Sequence, residues 1–182
     1  MRKLPAFLLI LFLLSACSLP PLGRETALPA TETPTPTVEY TQCAWVWATH
    51  LLPELSAQVQ SALEFASLPV TSASAEAFGE NCIDSRTNEV ASFATLETDF
   101  RITLKVDSLV DEEALGGLLE RVLVILDSFP AESIPGSEPG YVGVTFQAGE
   151  KELNLWFLVT DGKAARADGL HGAALLEKLS SK

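Results

Sequence analysis

Residues 95–106 read Thr95-Leu96-Glu97-Thr98-Asp99-Phe100-Arg101-Ile102-Thr103-Leu104-Lys105-Val106, and their alternation decides the fold. Leu96, Phe100, Ile102, Leu104 and Val106 occupy even positions, while Thr95, Glu97, Asp99, Arg101, Thr103 and Lys105 occupy odd ones. Successive side chains of a strand point to opposite faces, so this spacing predicts one buried face and one wet face. A strand of that kind needs a second layer over its apolar side. The residues that follow supply it: Asp111 is placed to cap a helix, Glu112 and Glu113 suit its positive end, and Leu115, Leu118, Leu119, Val122, Ile125, Leu126 and Phe129 trace a buried stripe. Phe129-Pro130 stops it.

Outward from this pair, Pro135-Gly136 and Pro139-Gly140 mark a loop, and Val142, Val144 and Phe146 alternate again. Gly149-Glu150-Lys151 turns the chain into Leu153, Leu155, Phe157 and Val159, which predicts a hairpin. Upstream, Leu52, Leu55, Val59, Leu63 and Phe65 predict a helix over 53–66 that ends at Leu68-Pro69. A strand is expected over 75–83, with turn residues at 84–88. Trp45 and Trp47 precede all of this on a segment with no readable period. Residues 163–179 read as a helix broken near Gly169 and Gly172, with Leu170, Leu175, Leu176 and Leu179 facing inward. The expected order is α-β-β-α-β-β-α: an α+β domain over 42–182, with helices on one face of a mostly antiparallel sheet.

The N-terminal 41 residues are of another kind. Arg2 and Lys3 are followed by an uncharged apolar run over 6–14 and then by Leu14-Ser15-Ala16-Cys17. These four residues resemble the lipobox of bacterial lipoproteins. The resemblance implies a signal peptide over 1–16, cleavage before Cys17, diacylglycerol on its sulfur and an N-acyl chain. The alternatives are an ordinary signal peptide and a transmembrane anchor. About a dozen apolar residues are too few to span ~30 Å of hydrocarbon as a helix. Two or more acyl chains at ~0.8 kcal/mol per buried methylene give stable attachment, so the expected location is the cell membrane or the outer membrane, facing away from the cytoplasm. The segment 17–41 then reads as a tether. It holds Pro20, Pro21, Pro29, Pro34 and Pro36, five of the chain's 11 prolines, interleaved with threonines. Such a stretch buries too little apolar surface to fold, and reaches roughly 70 Å if fully extended.

Charge excludes one class of partner. The chain carries 12 basic and 24 acidic residues, a net charge of −12. Loss of Arg2 and Lys3 with the leader leaves 12 − 2 = 10 basic residues, hence 10 − 24 = −14. With no basic run, such a surface repels phosphate backbones, so nucleic acid is not an expected partner. Of the three cysteines, Cys17 is assigned to lipid, leaving Cys43 and Cys82. In an oxidising compartment they are expected to form a disulfide, which on the chain-entropy account contributes about 4 kcal/mol. The alternative joins both thiols to His50 and His171 as zinc ligands, although the spacing fits no compact ligand pattern.

Catalytic signatures are missing from the sequence. It contains no Gly-x-Ser-x-Gly, no phosphate-binding glycine loop and no His-Glu-x-x-His. His50 beside a helix start and His171 between glycines read as cap and turn residues. Glu97 and Asp99 share a strand face about 7 Å apart, a pair compatible with glycoside chemistry. Arg101 and Lys105 follow on the same face, which instead suggests solvated ion pairs, with substitutions there costing under about 0.5 kcal/mol. The strings Gly79-Glu80-Asn81-Cys82, Glu97-Thr98-Asp99-Phe100 and Asn154-Leu155-Trp156-Phe157 are similar to ones in small uncharacterised bacterial lipoproteins, a likeness that implies no activity, cofactor or metal. Two function classes follow: a tethered binding or structural module for a protein or glycan partner, with Glu97, Asp99, Arg101 and Lys105 as its interaction face, or an envelope hydrolase built on carboxylates. Both rest on the anchor. Cys17→Ala should leave an unprocessed precursor that takes up no labelled fatty acid; processing and labelling like the wild type would end the lipoprotein reading.

Overall fold

The computed structural model describes residues 42–180; the leader, the lipid site Cys17 and the tether lie outside the described residues. The domain is mixed α+β, with five strands and four helices. In chain order these are β1 (Cys43–Leu51), α1 (Pro53–Phe65), β2 (Val70–Asp84), β3 (Val90–Lys105), α2 (Glu112–Asp127), β4 (Tyr141–Ala148), β5 (Lys151–Leu158), α3 (Val159–Ala167) and α4 (Gly172–Ser180). The sheet order is β1-β2-β3-β4-β5. Three of the pairings are antiparallel; β3 and β4 run parallel, joined by the crossover through α2.

The expected order lacked β1. Trp45 and Trp47 belong to this first strand, whose side chains are mostly exposed on both faces, so no alternation marks it. Three further readings are corrected. Phe65 is 94% exposed rather than inward: it follows Leu63 by two residues, about 200° around the helix, and so points away from the core. Val159 opens α3 instead of closing β5, and β2 and β3 each extend well beyond their apolar segments.

Local chemistry accounts for the boundaries. Pro53 sits in the first turn of α1, where no intrahelical donor is needed. The helix ends with Ser67 at φ 55°, its N–H donated to Glu64 O while Leu68 N–H reaches back to Leu63 O, 3.1 Å. Asp111 caps α2 by accepting from Ala114 N–H at 3.0 Å, and Glu112 and Glu113 occupy its first turn. In the β2–β3 turn the Arg86 backbone N–H is donated to the Asp84 carboxylate, which holds that carboxyl below its ordinary range. A two-residue turn with Gly149 at φ 61° closes the hairpin of β4 and β5.

The core joins the even residues of β3, Phe100, Ile102 and Leu104, to Val142, Val144 and Phe146 of β4 and to Leu155 and Phe157 of β5. Leu55, Val59 and Leu63 of α1, Leu115, Leu119, Val122, Leu123 and Leu126 of α2, and Leu175, Leu176 and Leu179 of α4 complete it. Burial of each such side chain contributes about 1.5–3 kcal/mol. Cys43 and Cys82 are joined by a disulfide that pins the start of β1 to β2, so neither sulfur is left as a metal-binding thiolate.

α2 and α4 approach so closely that a Cβ on Gly116 would lie 1.8 Å from Gly172 O, whereas one on the neighbouring Gly117 would meet nothing within 4 Å. These adjacent glycines should therefore respond to alanine with opposite signs. Gly116→Ala forces the helices apart and should cost about 1–3 kcal/mol. Gly117→Ala removes backbone entropy from the unfolded chain and should gain about 0.5–1 kcal/mol. Paired urea titrations measure both.

Candidate interaction face

The odd residues of β3 lie on the sheet face away from the core, and strand pairing determines what surrounds them. Arg101 stands opposite Ser74 on β2 and Gly143 on β4; Gly143 in turn stands opposite Trp156 on β5. Gly143 matters here because a Cβ would lie 2.7 Å from the Trp156 ring. Without one, the indole lies flat across β4, stacked on Tyr141 at 5.4 Å with an interplanar angle of 8°. The Arg101 guanidinium sits 4.7 Å from the Trp156 ring centroid and donates to Glu76 Oε2 at 3.1 Å. Glu76, Arg101, Trp156 and Tyr141 thus form one polar-aromatic row across β2 to β5. Each contact is partly solvated and contributes about 1 kcal/mol or less, so the row is a presented surface more than a source of stability.

Trp45 and Trp47 lie on the same face at the β1 edge, opposite Cys82 and Glu80. Trp47 stacks on Phe78 at 5.2 Å and 5°, and the two indoles remain 52% and 59% exposed. Glu76, Phe78 and Glu80 alternate along β2 beside them.

Of the four residues expected to form an interaction face, Arg101 and Lys105 are exposed on β3, Lys105 at its far end opposite Gln147. The two acids are less free. Asp99 Oδ1 accepts the Tyr141 backbone N–H at 2.8 Å, which fixes the first residue of β4. The adjoining Gly140 permits this approach, since a Cβ there would lie 2.0 Å from Thr98 O. Asp99 is therefore a structural acid as well as a surface one, and its replacement is expected to cost stability. Glu97 is half-buried beside a β-bulge, where Phe78 pairs with Glu97 and Gly79 with Thr95. Burial, together with the nearby charges of Asp99 and Glu138, raises its carboxyl above the ordinary value of 4.5. Next to it, the buried Thr98 hydroxyl donates to Pro135 O at 2.6 Å, and Leu96 O accepts from Ser137 N–H and Glu138 N–H. The loop that brings Glu138 near Glu97 is held by these bonds.

The two histidines engage different partners. His50 lies within β1 and is not a helix cap, bonded to Asn81 at 3.0 Å and stacked on Phe93 at 4.1 Å; β1 is mostly exposed on both faces, so no alternation marks it as a strand. His171 precedes α4 and contacts Glu120 at 2.9 Å. It borders a polar cleft that also contains Asp127, Lys163 and Arg166, where both cations pair with Asp127. Among the described residues, no three His, Cys, Asp or Glu side chains converge to hold a metal ion. A cavity of about 330 Å³ is lined mainly by apolar groups, including those of residues 134–139, with Asp127, Glu138 and Lys163 also in its lining.

Comparison with family models, with curated proteins and with solved structures finds no match to this chain.

Sequence reasoning missed Trp45, Trp47, Glu76, Tyr141 and Trp156. Only Trp156 carried a usable signal, an aromatic ring between the inward Leu155 and Phe157 and therefore facing outward. The charge reading is open to test. A carboxyl raised on folding binds its proton more tightly in the folded state, so its stability penalty is full above the folded value and is relieved as pH falls through that value towards 4.5. Glu97→Gln should raise the melting temperature at pH 7, with the gain vanishing once the pH falls below 4.5. Asp99→Ala should cost about 1–2 kcal/mol at pH 7 through the lost Tyr141 bond.

Proposed function

We propose that the chain is a lipid-anchored membrane protein displayed outside the cytoplasm, and that its domain is a binding module for a protein or glycan partner. In this reading the helices occupy one face of the sheet and the opposite face is the working surface. One observation carries the proposal: the face away from the core presents the row Glu76, Arg101, Trp156 and Tyr141, with Trp45 and Trp47 beyond it. Flat indoles offer large contact area at low conformational cost, and the flanking charges supply directional hydrogen bonds. The same combination serves a sugar ring stacked on an indole and a protein side chain packed on it. The anchor and tether rest on the sequence resemblance; among the described residues no helix is long and apolar enough to cross a membrane.

A hydrolase is the second reading, and one observation favours it: Glu97 is raised beside Asp99, as a general acid next to a second carboxylate would be. Against it, Asp99 Oδ1 is engaged by the Tyr141 N–H.

Crosslinking in the native cell, followed by partner identification, separates the two. Arg101→Gln with Trp156→Ala should cut recovery of the crosslinked partner at least tenfold, and Arg101→Gln alone should weaken it while leaving the ring in place. Both should keep a cooperative melting transition. Undiminished recovery would remove this face as the binding surface. Turnover of envelope glycan by the wild type, abolished by Glu97→Gln and retained in Trp156→Ala, would select the hydrolase.

A further inference from the structure

The β1 edge poses a problem that the binding face does not solve. Among the described residues β1 is an outer strand paired with β2, and the alternation of an antiparallel ladder turns the backbone N–H and C=O of Trp45, Trp47, Thr49 and Leu51 away from β2. Edge strands are normally protected by lysine, proline, a bulge or a covering element. The stretch Cys43-Ala44-Trp45-Val46-Trp47-Ala48-Thr49-His50-Leu51 contains no Lys, Arg, Asp, Glu or Pro, and its pairing with β2 is unbroken. It is exposed on both faces, with Trp45 and Trp47 on one and Val46 on the other. The disulfide clamps its first residue to β2, so this edge is held extended.

We propose that β1 pairs antiparallel with β1 of a second copy of this chain, joining two five-stranded sheets into one. Three observations favour a second copy over other occupants. The first is fit. Antiparallel pairing centred on Trp47, the midpoint of β1, sets Trp45 opposite Thr49 and Val46 opposite Ala48, with Ala44 opposite His50. Large side chains then meet small ones at these positions, and the two Trp47 indoles face each other at the centre. The second is charge. Two copies of a chain with net charge −12 repel overall, yet the nine paired residues contribute no Asp or Glu. The third is area. Trp45, Trp47, Val46 and Leu51 are each more than half exposed, and with roughly 250 Å² for each indole the four together offer on the order of 400 Å² per copy before the backbone ribbon is counted. Edge pairing covers the flanks of these side chains that face the seam, together with the backbone ribbon, and leaves their outer faces open. The preceding segment 18–41 carries five prolines, each without a backbone N–H to give to a ladder.

The register makes the test specific. Ala44→Cys and His50→Cys lie on the strand face opposite the native disulfide. In the proposed dimer they face each other at a separation within disulfide range, whereas two copies of either variant place their thiols about 20 Å apart. Full-length tagged proteins are co-expressed and oxidised mildly in native membranes. A crosslinked heterodimer is expected from the mixture and none from either variant alone. Trp47→Lys added to both chains should lower the yield at least tenfold, and Val46→Lys, on the other face, should do the same if Trp47→Lys fails to melt cooperatively. No crosslink in the mixture, equal crosslinking within single-variant samples, or a yield insensitive to both lysines would overturn the proposal. So would capture of a different protein by the His50→Cys thiol, which would assign the edge to a foreign strand.

Discussion

Burial of Phe100, Ile102 and Leu104 beneath the helices is the constraint on which the remaining structure depends. β3 is the central strand of five, so its register sets that of β2 on one side and β4 on the other. A slip by one residue would place Arg101 and Thr103 in the core and expose three large apolar side chains, a loss of several kcal/mol that no local rearrangement recovers. The parallel contact with β4 requires a crossover, and α2 provides both the connection and the largest share of the helical core. The hairpin of β4 and β5 then completes the sheet with short-range pairing alone.

That register also explains why polar groups near the middle of the sheet are structural. The bulge at Leu96 turns its carbonyl towards the loop at 137–138, and Thr98 directs its hydroxyl to Pro135 O. Asp99 then receives the first N–H of β4. A loop that reads as little more than glycine and proline is thereby tied to β3 at several points. The cost appears at Glu97, whose carboxylate shares a partly buried space with Asp99 and Glu138. An unfavourable charge kept where the surrounding bonds are favourable is the kind of local conflict found at surfaces that serve something besides stability.

The two sheet edges differ in a way that matters for function. β5 carries Lys151 and Glu152 at its start and turns directly into α3, so its edge opens on charged residues. β1 is uncharged and clamped by a disulfide, and it leaves its indoles exposed on the same face as the Arg101–Trp156 row. The polar-aromatic row and the β1 edge are therefore neighbours on one face of the sheet.

Much of this was legible in the sequence. Period two at 96–106 and period 3.6 at 111–129 determined a half-buried strand followed by an amphipathic helix, and Gly149-Glu150 determined the second hairpin, because these signals arise from bonds and contacts within a few residues. The Cys43–Cys82 pair followed from counting. What only the tertiary structure decided depends on residues far apart in the chain. β1 has no period because neither of its faces is buried; it is a strand because β2 offers it a ladder. The place of Trp156 over Gly143 and against Arg101 needs three strands in register, and the second role of Asp99 needs the start of β4 brought beside it across 42 residues of chain. Local patterning specifies elements because water is excluded one face at a time, but a surface assembled from several strands exists only once long-range pairing has set them side by side.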